Sequence, residues 1–223
     1  MVFAFSSDPQ EVRIEPPGLS AILGVPAHAA GLVLFAHGSG SGRHSPRNNH
    51  VAERLRDGGI ATLLLDLLTP EEERDRANVF DIRLLAARLI EATDWAARQD
   101  ATRGLPVGYF GASTGGGAAL VAAAVRRPEI AAVVSRGGRP DLAGGALPQV
   151  SAPTLLIVGG DDGPVIDMNR AAQARMQAEV ELVIVPGAGH LFEEPGTLDQ
   201  VIEHSRGWFQ RHFRRVRAGE AVK

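Results

Sequence analysis

The chain has 223 residues, 23 Lys and Arg against 26 Asp and Glu for a formal net charge of −3, 26 glycines and no cysteine. That length suits one large α/β domain or two small ones, and with no plausible linker the chain reads as a single domain over 1–223. The missing cysteines exclude disulfides, thiolate metal sites and a cysteine nucleophile, and without a basic block nucleic acid is not an expected partner. No apolar run reaches the ~18 residues of a membrane span, and residues 1–17 lack the basic start and apolar run of a secretory signal. A cytoplasmic enzyme or binding protein is the expectation.

Two short strands are predicted at 11–15 and 19–25, separated by Pro16-Pro17-Gly18. The period then changes. Residues 31–36 form a continuous apolar run, the pattern of a strand buried on both faces. The stretches 60–67, 107–110, 131–135, 154–158 and 180–185 repeat it, with helical patterns between them. This alternation predicts a mainly parallel sheet with helices on both faces.

The helices carry their own punctuation. Ser45-Pro46 reads as an N-cap and a first-turn proline ahead of Val51 and Leu55. Val79, Ile82, Ala86, Leu89, Thr93 and Ala96 mark one face of a long helix. An alanine-rich helix over 117–125 ends in Arg126-Arg127-Pro128, with its arginines at the negative end of the helix dipole. Thr197-x-x-Gln200 matches a capping box, followed by a core-facing stripe of Val201, Ile202, Ser205, Phe209 and Phe213. Residues 69–78 and 137–152 read as loops. Neither separates two cores.

Gly111-Ala112-Ser113-Thr114-Gly115 stands between an apolar strand and that alanine-rich helix. A serine flanked by glycines at such a corner reads as a nucleophile elbow, because only a tight turn lifts the hydroxyl clear of the sheet. In a chain this rich in glycine the pentapeptide alone proves little, so its surroundings have to carry the argument. In an open parallel sheet, functional groups gather beyond the carboxyl ends of the strands. The groups found there are His37-Gly38-Ser39-Gly40-Ser41-Gly42, then Ser113, then Asp161-Asp162, then His190.

Serine, acid, histidine is the chain order of an α/β-hydrolase triad. The serine needs a base, and the base needs a carboxylate to hold its tautomer. The glycine-rich loop falls where half of an oxyanion hole belongs, and the backbone N–H groups of Ser39 and Thr114 are the assigned donors. His37 is read as structural, and His204 and His212 as surface or boundary residues. Asp161, Asp162 and, more distantly, Asp141 are the candidates for the acid. Arg43, Arg47, Arg136 and Arg139 follow strands that end at the same rim. One or two of them, with Arg136 and Arg43 foremost, are candidates for gripping an anionic group on the substrate. The alternative is ordinary pairing with surface acids.

The pieces HGSGSG at 37–42, GASTG at 111–115, GGDDGPV at 159–165 and PGAGH at 186–190 resemble the dienelactone-hydrolase-like branch of the α/β-hydrolase superfamily. The resemblance implies an eight-stranded, mostly parallel sheet with one antiparallel strand near the start and no lid domain. It implies Asp162 as the acid, beside Ser113 and His190, and ester or lactone hydrolysis with no metal or cofactor. The hydrolases that give the branch its name use a cysteine, where this chain has Ser113. The expected substrate is a small acyl compound, and the sequence leaves monomer and homodimer both open. A nucleotide-binding domain is disfavoured because a third glycine would be needed at Arg43. A silent binding protein, a peptidase and a thioesterase are the other rivals.

Overall fold

The computed structural model describes residues 8–219. Eight strands form one sheet in the order β1-β2-β4-β3-β5-β6-β7-β8. They are β1 (Gln10–Ile14), β2 (Leu19–Gly24), β3 (Leu32–Ala36), β4 (Ala61–Leu65), β5 (Val107–Ala112), β6 (Ile130–Arg136), β7 (Thr154–Gly159) and β8 (Val180–Val185). β2 runs antiparallel to both its neighbours, β1 and β4. Every other pairing is parallel.

The continuous apolar runs are strands because both faces are covered. In β3, Leu32, Leu34 and Ala36 point into one core, while Val33 and Phe35 point into the other. The first core is closed by α4 (Ile82–Ala97), through Leu85, Leu89 and Ala92, and by the alanines of α5 (Thr114–Val125). The second is closed by α1 (Pro46–Asp57), through Val51 and Leu55, and by α7 (Thr197–Arg217), through Phe209 and Phe213. Burying this many aliphatic and aromatic side chains is the main driving force for the fold, at about 1.5–3 kcal/mol per large side chain before entropy is counted.

Several local expectations change. Where 69–78 reads as a loop, the chain forms two short helices, α2 (Pro70–Glu73) and α3 (Arg76–Phe80), the second running just past that stretch. Thr69 caps α2 in a full capping box with Glu72, and Asp75 caps α3. Val79 therefore belongs to α3, and α4 starts afresh behind the N-cap Asp81. The 137–152 loop contains a 3-10 segment, Pro140–Gln149, kinked at Gly144. The capping box expected at Thr197 is absent. Gly196 takes the N-cap position in a left-handed conformation, and the Thr197 hydroxyl donates to the Glu194 carbonyl.

His212 is not at the surface: it is 2% exposed. It follows Trp208 by one turn and packs on it with 4.6 Å between ring centroids. Burial pushes its pKa down to about 4. The last helix before α7, α6 (Gly163–Gln173), packs against β7, β8 and the 3-10 segment.

Candidate active site

β5 ends at Ala112 and α5 begins at Thr114, so Ser113 alone makes the turn, with φ 50° and ψ −121°. A non-glycine residue there stores about 1–3 kcal/mol of strain, and it persists only if its surroundings enforce it. Here they do. The Ser113 N–H donates to the Arg136 carbonyl at 3.3 Å, and the Ser113 carbonyl accepts from the N–H groups of Gly116 and Arg139, each at 3.0 Å. The flanking glycines are required by contact. A Cβ at Gly115 would overlap the Ala36 carbonyl oxygen, and one at Gly111 would stand 2.6 Å from the Gly116 Cα.

Ser113 and His190 line one cavity of about 820 Å³ at the carboxyl ends of the parallel strands. The His190 Nδ1–H donates to Asp162 Oδ2 at 2.6 Å, which leaves Nε2 for the cavity side. No hydrogen bond joins His190 to Ser113; bonds of this kind commonly tighten only around substrate. Asp162 is the N-cap residue of α6, yet its carboxylate makes no cap hydrogen bond. It is given to the histidine instead. Asp161, one residue earlier, is exposed. Asp141 is held in a bidentate pair by Arg139, at 2.8 and 2.7 Å.

The glycine-rich loop is pinned by His37. Its Nε2 accepts the Leu67 N–H at 3.1 Å, so Nδ1 carries the proton and donates to the Gly38 carbonyl at 2.9 Å. Burial holds the His37 pKa below the ordinary histidine value, keeping the ring neutral as this arrangement requires. The expected pair of oxyanion donors is only half free. The Thr114 N–H opens α5 and has no partner among the described residues. The Ser39 N–H instead donates to Thr114 Oγ1 at 3.0 Å. This correction has a physical reason: a hydroxyl on the first helical residue lies within reach of the loop that crosses it, and an idle N–H in a half-buried site takes the nearest acceptor.

The bond also ties a loop with glycines at 38, 40 and 42 to the turn at Ser113. Thr114→Val is expected to lower kcat by about tenfold through loss of that positioning, against about 10²–10³ for losing a donor outright. Thr114→Ser, which keeps the acceptor, should restore most of it. Steady-state kinetics on one ester would decide the point. A kcat raised in Thr114→Val would mean that the hydroxyl competes with the oxyanion.

The four rim arginines separate sharply. Arg43 pairs with Asp66 and with Glu11, and its own backbone N–H donates to Asp66 Oδ1. It is committed to the protein, contrary to the expectation that it binds substrate, because two carboxylates already neutralise it. Arg139 is committed to Asp141, and Arg47 to Glu193 at 2.7 Å. Among the described residues Arg136 joins no carboxylate, and it lines the cavity with Ser113 and His190. Among the described residues no cluster of three or more His, Asp or Glu side chains is arranged to hold a metal. Nor is any of the described helices long and apolar enough to cross a membrane.

A sheet of this order, a serine at a strained strand-to-helix turn and an aspartate-bonded histidine lining the same cavity define an α/β hydrolase. The chain belongs to the dienelactone hydrolase family, whose sequence model matches residues 19–211. The dienelactone hydrolase of Anabaena variabilis ATCC 29413, known from a crystal structure, is 57% identical; the match covers 92% of this chain and 98% of that one, with a TM-score of 0.87. Proteins of two Mycobacterium tuberculosis strains, each described as a putative phosphoribosyl transferase, are 62% identical over 206 residues. Those residues are 92% of this chain and 46% of each relative, so the chain spans about half the length of these curated relatives. Est1E from Butyrivibrio proteoclasticus shares the fold, with a TM-score of 0.77 at 18% identity over 92% of this chain and 99% of that one.

Proposed function

We propose that the protein is a serine hydrolase that cleaves a carboxylic ester, lactone or thioester through Ser113, His190 and Asp162. The observation that carries this reading is the 2.6 Å bond from His190 Nδ1–H to Asp162, with His190 lining the same cavity as Ser113. His190 Nε2 takes the hydroxyl proton as Ser113 Oγ attacks the carbonyl carbon. The tetrahedral oxyanion is met by the Thr114 N–H, and by the Ser39 N–H once that bond is shared with the substrate. Collapse expels the alcohol or thiol, which leaves with the proton from His190, and an acyl-Ser113 ester remains. Water, deprotonated by His190, then releases the acid and restores the serine.

On this reading the partner is a small acyl substrate, and no cofactor, metal, nucleic acid or membrane is needed. A second reading comes from the name of the mycobacterial relatives. That name describes proteins about twice as long as the matched stretch, and the matched stretch is the part that fits the dienelactone hydrolase family. We therefore assign ester hydrolysis, not phosphoribosyl transfer, to these residues.

The test is labelling by a fluorophosphonate together with turnover of p-nitrophenyl esters from acetate to octanoate. Wild type should label and turn over, and Ser113→Ala should do neither. Absence of both in the wild type would move the assignment to a binding protein on a hydrolase scaffold.

A further inference from the structure

The turn after β6 touches both the serine and the histidine. β6 ends at the buried Arg136, and Gly137, Gly138 and Arg139 follow. The Arg136 carbonyl and the Arg139 N–H hold the Ser113 backbone from two sides. Gly137, at φ 52°, lies against His190: a Cβ there would stand 3.0 Å from the His190 carbonyl oxygen and 3.6 Å from its Cε1. The Gly137 N–H donates to the Ile157 carbonyl of β7 at 2.8 Å. The Gly138 carbonyl is met by a side chain from outside the sheet, the amide of Asn169.

Asn169 lies in α6 and is fully buried. Its Nδ2 donates to the Gly138 carbonyl at 3.1 Å and to the Val165 carbonyl at 2.8 Å. Two carbonyls on that side fix the orientation of the amide, since the flipped form would set oxygen against oxygen. Oδ1 has no hydrogen-bond partner among the described residues. A buried amide oxygen left unpaired costs stability that a leucine of similar shape would not. What the amide supplies in return is the bond to Gly138, 31 positions away. The other end of the helix shows why that bond matters. Asp162 is the N-cap of α6 and accepts the His190 Nδ1–H. The helix thus carries the acid and, through it, the base, while the turn at 137–139 holds the serine. Ser113 and His190 share no hydrogen bond of their own, so their alignment depends on how these two parts are joined.

We infer that Asn169 is a positioning residue, clamping α6 to the turn at 137–139 so that His190 Nε2 faces Ser113 Oγ. The inference rests on the proposed hydrolase reading. Ser135 supplies a contrast within the same layer. A Cβ at Gly138 would overlap its hydroxyl, and that hydroxyl also has no hydrogen-bond partner among the described residues. Ser135 fills space beneath Gly138, whereas Asn169 bonds to it.

The experiment compares wild type with Asn169→Leu and Ser135→Ala in ester turnover, rate of fluorophosphonate labelling, thermal melting and NMR of isotope-labelled histidine. In Asn169→Leu, kcat and the labelling rate should fall together by about 10- to 100-fold, the cost of a misplacement remote from the chemistry. KM should stay within about twofold, since Asn169 does not line the cavity. The melting temperature should change little, because the variant removes one unpaired polar atom, Oδ1, and creates another, the Gly138 carbonyl oxygen. The His190 Nδ1–H resonance, identified by its loss in His190→Ala, should persist, because the bond to Asp162 lies within one of the two parts. Ser135→Ala should match wild type throughout. Asn169→Ala, which adds no bulk, takes the place of the leucine variant if that one does not fold.

Turnover and labelling within about twofold of wild type in the folded variant overturn the inference. So does a loss of activity that comes with a lowered melting temperature and a vanished His190 resonance, which would make Asn169 a general support of the fold. An equal loss in Ser135→Ala overturns it too, since any disturbance beneath the turn would then suffice. A wild type that neither labels nor turns over removes the hydrolase reading and this inference with it. An active wild type beside an equally active variant removes the inference alone.

Discussion

Ester turnover is expected to fall by about 10⁶ in kcat when Ser113 becomes alanine, and by a similar factor for His190→Ala, since members of a triad act as a unit. The two adjacent aspartates should then divide cleanly. Asp162 accepts the His190 Nδ1–H at 2.6 Å, so Asp162→Asn offers an amide in place of a carboxylate and favours the wrong imidazole tautomer. A loss of about 10⁴ follows. Asp161 is exposed and makes no bond to His190, so Asp161→Asn should change kcat by less than about threefold, the range of ordinary surface changes. Parallel kinetics of the four variants on one p-nitrophenyl ester would show the division. Equal losses at the two aspartates would remove the assignment of the acid, and survival of turnover in Ser113→Ala would remove the nucleophile.

What made this candidate site readable was the order of its parts along the chain. Strand runs such as 31–36 announce themselves because both faces are buried, and each motif then sits at a strand's carboxyl end. The choice between Asp161 and Asp162 was different. It came through the family resemblance, since two neighbouring carboxylates differ only in the direction they point. Some signals were present and misread. Thr69-Pro70-Glu71-Glu72 has the spacing of a capping box and makes one, whereas Thr197-x-x-Gln200 has the same spacing and makes none. The difference lies in Gly196, which can take the left-handed conformation and so captures the N-cap position. His212 could have been placed inside from its one-turn spacing to Trp208 and its position beside Phe213.

The arginines were beyond sequence reasoning. Arg43 meets Asp66 across 23 positions and Arg47 meets Glu193 across 146, and nothing local indicates which of the four is left without an acid. Burial of Arg136 depends on α1, β6 and Phe192 arriving at one point. The same is true of the Ser39–Thr114 bond, which joins two motifs each recognisable alone but not the way they touch.

The elbow also sets a limit on what the chain tolerates. Gly115→Ala should be among the most damaging single-methyl additions available in this protein. The new Cβ would overlap the Ala36 carbonyl oxygen and come within 2.6 Å of the His37 carbonyl oxygen, both backbone atoms at the end of a central strand. Neither can retreat without opening the sheet or displacing α5, so a destabilisation of about 3 kcal/mol or more is expected, at the upper end for overpacking. Gly207→Ala supplies the contrast. That glycine lies inside α7 with open space around its missing Cβ, and alanine there should stabilise by about 0.5–1 kcal/mol. Urea unfolding of both variants would give opposite shifts in midpoint at nearly constant slope. A Gly115→Ala protein as stable as wild type would show that the Ser113 turn can relax. The close approach of β3 to the elbow would then not be what fixes Ser113 in its strained conformation.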